Sequence, residues 1–378
     1  MKIKVAGVGL TKFGELWDKT LDDLILESSI KAIKDSSLES SKIDAIFLGN
    51  MLHGKLANQD HLGALTAALL ELHCPAVHVE AACASGGMAV HLACLALNSG
   101  QYKNVLVIGA EKMTDSSVAK ISEALMGAGS EEERTAGLTF PGLYALMAKA
   151  HMQQFGTSRE QMASVAVKNH FHASLNQNAQ YPFEITAETV LNSSSVSSPL
   201  TLFDCSPITD GAAAVVLSAN GVNGKGVYIT GSVPATDTVS LSQRQSLTEL
   251  KATKIASQKA YKMAGMVVKD INTVEVHDCF TIAEIIAMED LGFCKKGQGG
   301  SFVESGATKL GGQIPVNTSG GLKACGHPVG ATGVKQIAEV TEQLRGSAGK
   351  RQIKGAKVGL TQNVGGTGAT VVVHVLQK

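Results

Sequence analysis

The chain has 378 residues, more than one hydrophobic core usually organises, so two or three folding units are expected. Lys plus Arg and Asp plus Glu number 33 each, a balance that argues against a general nucleic-acid binder with a basic face. No apolar run is long enough for a membrane span, and seven cysteines without a CxxC pair argue against a disulfide framework or a tetrahedral metal site.

Lys4 to Gly9 alternates as a first strand. Leu21 to Ser36 carries apolar residues at helical spacing, Ile43 to Leu48 reads as a strand and Asp60 to Leu72 as a helix. Ala76 to Val79 is a short strand that runs into Glu80-Ala81-Ala82-Cys83-Ala84-Ser85-Gly86-Gly87. The helix that follows, to about Asn98, is apolar nearly all round and reads as buried. Asn104 to Gly109 is another strand. This alternation predicts α/β layers with mainly parallel strands inside.

From Met113 to Leu202 the strand-helix beat weakens and polar residues rise, so this stretch reads as an inserted loop domain. Asp210 to Ser218 resumes a buried strand. The Gly-rich Asn220 to Gly226 reads as a linker. The expected units are residues 1–112 with 203–222, the insertion 113–202, and a second half 223–378. In that half, strands are expected at Val227 to Gly231, Thr273 to Val276, Lys357 to Leu360 and Ala369 to Leu376. Helices are expected at Glu249 to Ala264, Thr281 to Leu291 and Gly333 to Leu344, with a Gly-rich loop from Gly311 to Gly333. Ser85-Gly86-Gly87 and Ser319-Gly320-Gly321 form an internal echo, each ahead of a helix and a strand.

Cys83 sits where a strand turns into a helix. A helix start offers unpaired N–H groups and partial positive charge, which favour the nucleophilic thiolate and could hold a developing oxyanion. The competing reading is a buried structural cysteine. His327, in Gly326-His327-Pro328, could take the thiol proton; the plainer alternative is a loop histidine bonded to backbone. His277 and Cys279, two apart beyond a strand, point to one side and could share a pocket. A surface histidine beside a core cysteine is the simpler alternative. Gly365-Gly366-Thr367-Gly368 precedes a strand rather than a helix, so it is no nucleotide fingerprint. It reads as a tight turn or as a source of backbone N–H groups.

Taken together, the Cys83-Ala84-Ser85-Gly86-Gly87 turn, His277-Asp278-Cys279-Phe280, Gly326-His327-Pro328 and the terminal Gly-Gly-x-Gly strand resemble the thiolase superfamily, within it the sterol-carrier-protein type and acetyl-CoA acetyltransferases. The resemblance covers the whole chain. It implies a five-layered α/β/α/β/α fold of two similar halves with an inserted loop domain, and a homodimer or tetramer. It implies an acyltransferase that takes CoA and acyl-CoA as substrates, with no permanently bound cofactor and no metal.

By the same resemblance Cys83 is the acylated nucleophile, His327 its base, and His277 a support for an oxyanion site. Backbone N–H groups of Cys83 and of Gly365 or Gly366 form a second such site. Phe280, Ser319 and Gly320 are expected to bind substrate. Most thiolases carry a second catalytic cysteine where this chain has Asn363. Cys279 takes that role on the resemblance, with Cys325 as the alternative thiol. The resemblance leaves room for an assembly partner protein; the rival reading is a thiolase-like acyl-CoA-binding or scaffold subunit with little turnover. No signal-peptide block opens the chain and Leu376-Gln377-Lys378 is not the usual peroxisomal tripeptide, so a cytoplasmic location is expected.

Overall fold

The computed structural model describes residues 2–219 and 226–378. Its strands are β1 (Ile3–Leu10), β2 (Ala45–Gly49), β3 (Ala76–Val79), β4 (Asn104–Glu111), β5 (Ser195–Ser197), β6 (Leu200–Thr201), β7 (Gly211–Ser218), β8 (Val227–Thr236), β9 (Thr273–Glu275), β10 (Val358–Gly365) and β11 (Thr370–Gln377). β5 and β6 form a small hairpin. The other nine run in the order β3-β2-β4-β7-β1-β8-β11-β10-β9. The two halves meet at β1 and β8, where pairing is confined to Ile3↔Ile229 through Val5↔Val227.

Two helices, Ser85–Asn98 and Thr332–Arg345, pack on each other and on strands of both halves. Small and branched residues, among them Ala89, Val90, Ala93, Ile337 and Val340, are fully buried there. Each such branched side chain stabilises the fold by about 1.5–3 kcal/mol. Outside the sheet, the helix Leu21–Ser36 covers β1 and β7, and the helix Lys251–Ala264 covers β8 and β11. The result is the five-layered α/β/α/β/α arrangement. Leu21–Ser36 is started by a capping box, with Thr20 and Asp23 each bonding the other's backbone N–H, at 3.2 and 2.9 Å.

Four expectations change. The sheet is mixed rather than mainly parallel. β2 runs parallel to β3 and β4, and β10 to β9, whereas β1, β7, β8 and β11 join antiparallel. The tight turn after Gly365 returns β11 directly along β10, and a turn that short allows only antiparallel pairing.

The insertion is helical, including Phe140–Phe155 and Arg159–Ser174. The second buries Lys168, Asn169, His170 and His172, so no apolar stripe betrays it. The Gly311–Gly333 segment holds a short helix, Gly321–Cys325, so the true partner of the helix at Ser85 begins at Thr332 and not after Ser319-Gly320-Gly321. Finally, the helix Ser85–Asn98 is not buried all round, because Leu95 reaches the surface. The expected linker lies outside the described residues except for Gly226.

Candidate active site

The site grows from the turn after β3. Ala82 adopts a left-handed backbone, φ +51°, which costs on the order of 1–3 kcal/mol for a residue with a Cβ. Ser85 holds the turn closed: its Oγ accepts from Ala81 N–H at 2.9 Å and donates to Ala82 C=O at 2.6 Å. Gly86 lets the loop carrying His327 approach, since a Cβ there would lie 2.6 Å from the Gly330 carbonyl. Cys83 is thereby fixed just ahead of the middle-layer helix, buried but facing a cavity.

Side chains distant in sequence converge there. The Cys83 sulfur and ring nitrogens of His277 and His327 all lie within 4.8 Å of one another. The two imidazoles meet edge to face, with centroids 4.9 Å apart. His327 Nδ1 lies 2.7 Å from Thr332 Oγ1, which itself donates to Pro328 C=O at 3.2 Å. With the threonine proton on the Pro328 carbonyl, Nδ1 carries the ring hydrogen and Nε2 keeps its lone pair. Cys279 and Phe280 line the same cavity, held by Ser206 N–H donating to Cys279 C=O at 2.9 Å. Asp278, between the two box residues, turns away and accepts N–H groups of Leu322 and Lys323 at the short helix.

Asn363 fills the space between the two middle-layer helix starts. Its Oδ1 accepts from Gly87 N–H at 3.0 Å, and its Nδ2 donates to Cys83 C=O at 3.0 Å and lies 3.3 Å from His277 Nδ1. A Cβ at Gly87 would stand 2.8 Å from that Oδ1, so a glycine is needed.

The cavity measures about 200 Å³. Its outer wall is apolar and comes from the insertion: Val118, Ile121, Leu125, Phe140 and Tyr144. Tyr144 stacks on Phe280 with ring centroids 4.6 Å apart. Its hydroxyl donates to Gly366 C=O at 3.1 Å and lies against the Cys279 thiol.

Burial dominates the electrostatics. It pushes the Cys83 thiol up to about 12, against a bond from the Gly366 backbone N–H. Loss of water thus opposes the pull toward thiolate that a helix start exerts. Burial also lowers His327 to about 3, helped by Lys335, and lowers His277, helped by His327. Cys279 is raised by burial, with the Tyr144 bond acting the other way. Burial therefore favours the neutral thiol and the neutral imidazoles.

Four expected residues lie outside the cavity wall. Ser319 is not in the cavity wall. Its hydroxyl bonds Glu275 at 2.6 Å and is shared with Lys335. Gly320 packs against Ala173, with no room for a Cβ. Cys325 takes a bond from Asn176 Nδ2 at 3.6 Å in a separate apolar cluster, so of the two thiols weighed, only Cys279 lines the cavity. Of the glycine pair, Gly366 lines it, while Gly365 abuts the Ala81 carbonyl.

Two residues escaped sequence reading. Tyr144 reaches in from the insertion. Buried Glu111 accepts bonds from Asn50 Nδ2 and the N–H groups of Met51, Leu52 and Gly330, bracing the His327 loop. A glutamate at the end of a buried strand was the available signal.

A layered α/β fold with a buried cysteine, two imidazoles beside it and backbone donors at the sulfur fits an enzyme class: acyltransferases that work through a cysteine. Residues 3–221 match the family described as thiolase, N-terminal domain, and residues 234–378 the thiolase C-terminal domain-like family. The chain belongs to the thiolase family and is a thiolase-type acyltransferase. It is 49% identical to an acetyl-CoA acetyltransferase of Methanothermobacter thermautotrophicus, covering 100% of this chain and 99% of that one. It is 34% identical to sterol carrier protein 2 of Homo sapiens, covering 98% of this chain and 71% of that one. Among solved structures, the Ltp2-ChsH2(DUF35) aldolase aligns with TM-score 0.84 at 23% identity, over 99% of this chain and 97% of that one. Human mitochondrial 3-ketoacyl-CoA thiolase in complex with CoA aligns with TM-score 0.77 at 18% identity, over 100% and 98%. No helix among the described residues is long and apolar enough to cross a membrane.

Proposed function

We propose that this enzyme cleaves or forms short 3-oxoacyl-CoA thioesters, acetoacetyl-CoA first among them, through an acyl group carried on Cys83. The observation that carries this reading is the convergence of one thiol and two imidazoles within 4.8 Å, with two further thiols, Cys279 and Cys205, on the same cavity. A short acyl chain is supported by the relatives at 49% and 44% identity, both named acetyl-CoA acetyltransferase.

The reaction is ping-pong. In cleavage, Cys83 attacks the keto carbon while its proton passes to His327 Nε2. Backbone N–H groups of Cys83 and Gly366 face the oxygen that gains charge. The carbon–carbon bond breaks, and Cys279 protonates the acetyl-CoA carbanion. The thiol of CoA then takes the acyl group from Cys83. Condensation runs the same steps backwards, with Cys279 removing an α-proton. His277 and protonated His327 flank the thioester oxygen in both directions.

The test is a mass measurement on Cys83 after incubation with acetyl-CoA, followed by thiolysis of 3-oxoacyl-CoA substrates of rising length. Acetylation of Cys83 with fastest turnover of acetoacetyl-CoA is expected; label on another residue rejects the assignment.

Assembly is part of the proposal. β3 is an edge strand with Val77 exposed, a surface suited to pairing with a second copy, so a homodimer or tetramer is expected. A partner protein is the alternative, since the aldolase neighbour is titled as an assembly with a DUF35 chain. All seven cysteines are free, which supports a reducing, cytoplasmic setting. Light scattering of the purified chain decides its oligomeric state.

A further inference from the structure

The position where most thiolases have their second cysteine is not vacant of purpose here. The Asn363 amide has one orientation open to it. The Gly87 N–H can only donate, so the atom 3.0 Å away must be the amide oxygen. The Cys83 carbonyl can only accept, so the atom 3.0 Å away must be the amide nitrogen. Backbone groups on one helix start thus settle which end of the amide is which.

That nitrogen has two hydrogens. One is spent on Cys83, and the other points to His277 Nδ1 at 3.3 Å. A donor facing Nδ1 requires a lone pair there. In a neutral imidazole the hydrogen must then sit on Nε2. His277 Nε2 is buried, has no hydrogen-bond partner, and belongs to a ring that lines the cavity. Its companion His327 is set the opposite way, with hydrogen on Nδ1 and a lone pair on Nε2.

We propose that Asn363 is a positioning residue that fixes His277 as the Nε2–H tautomer, so that the cavity always presents one imidazole donor beside one imidazole base. The two rings divide donor and acceptor work before substrate arrives. The donor faces the thioester oxygen with no reorganisation, and the base remains free for the Cys83 proton. An asparagine does this because it offers donor and acceptor from one planar group, where a cysteine has only one weak S–H donor and a weak sulfur acceptor. The inference rests on the reaction proposed above only for its consequence, not for the tautomer itself.

The test uses 15N-histidine-labelled protein, with His277→Gln to assign the resonance. The wild type is expected to show His277 with a protonated Nε2 and a bare Nδ1. Asn363→Asp, which can only accept, is expected to move the hydrogen to Nδ1. Its kcat should fall about 100–1,000-fold, the loss typical of removing one oxyanion donor, with KM changed less than about threefold. A wild-type His277 protonated on Nδ1 overturns the inference, as does an unchanged tautomer in Asn363→Asp. If that variant does not fold, the wild-type spectrum decides alone. An Nε2–H tautomer in an enzyme without thiolysis activity supports this inference and removes the proposed reaction instead.

Discussion

The phenol of Tyr144 lies against the thiol of Cys279 while donating to the Gly366 carbonyl at 3.1 Å. A phenol has one hydrogen, so it serves one of these partners at a time. With Cys279 protonated, the carbonyl holds it. When Cys279 gives up its proton, the hydroxyl can turn to the sulfur. Tyr144→Phe is therefore expected to slow carbon–carbon cleavage about 10–100-fold, as removal of a bond to a charged group does. Acetylation of Cys83 should change less than about threefold. Acetoacetyl-CoA thiolysis and the mass of the acyl-enzyme measure the two separately; equal losses in both would reject the coupling.

Cys279→Ala should remove carbon–carbon cleavage while Cys83 still takes acetyl from acetyl-CoA. Cys325→Ala should leave both steps near wild type, because its sulfur packs by Asn176 outside the cavity. Thiolysis and acylation assays on the pair assign the second thiol, and a reversed pattern would exchange the two roles.

Glu111 makes stability depend on pH. Burial pushes its carboxyl up to about 7 from 4.5, outweighing the N–H donors around it. The folded protein thus binds this proton more tightly than the unfolded chain. The contribution is fully present below about 4.5 and is lost as pH rises through 7. In Glu111→Gln, which lacks this titration, the unfolding midpoint in urea should fall less between pH 5 and 8 than in the wild type. Parallel pH curves for the two proteins would refute it. Glu111→Gln should also be less stable at acidic pH, since its amide nitrogen cannot accept from the surrounding N–H groups.

Zinc should inhibit. The sulfur and two imidazole nitrogens within 4.8 Å of one another offer three of the four ligands zinc takes. Excess Zn²⁺ is expected to block acetylation of Cys83, and a chelator to restore it. Undiminished acetylation under zinc would show that the thiol proton is not displaced.

Much of the site could be read from sequence because its reactive residues sit in short, patterned segments. Cys83 marks a strand-to-helix turn, His277 and Cys279 alternate beyond a strand, and His327 lies among glycines. What the segments could not convey is what surrounds them. Tyr144 enters from a helix whose neighbours gave no periodic signal. The burial that pushes the Cys83 thiol up belongs to the assembled fold and not to the helix start beside it. The fold was legible in its beat of strands and helices, but pairing direction was not, since it depends on how the tight turn after Gly365 sends the chain back. Ser319 misled for a related reason: a serine among glycines suits a ligand, yet a buried lysine and glutamate claimed its hydroxyl.

β11 is the last strand of the chain, yet it lies inside the sheet between β8 and β10. Its register partner β10 delivers Asn363, and the turn joining the two delivers Gly366. The nucleophile's surroundings are therefore complete only once residues 358–377 have paired into the sheet. A segment threaded late into the sheet thus supplies both the amide that braces Cys83 and the backbone donor at its sulfur.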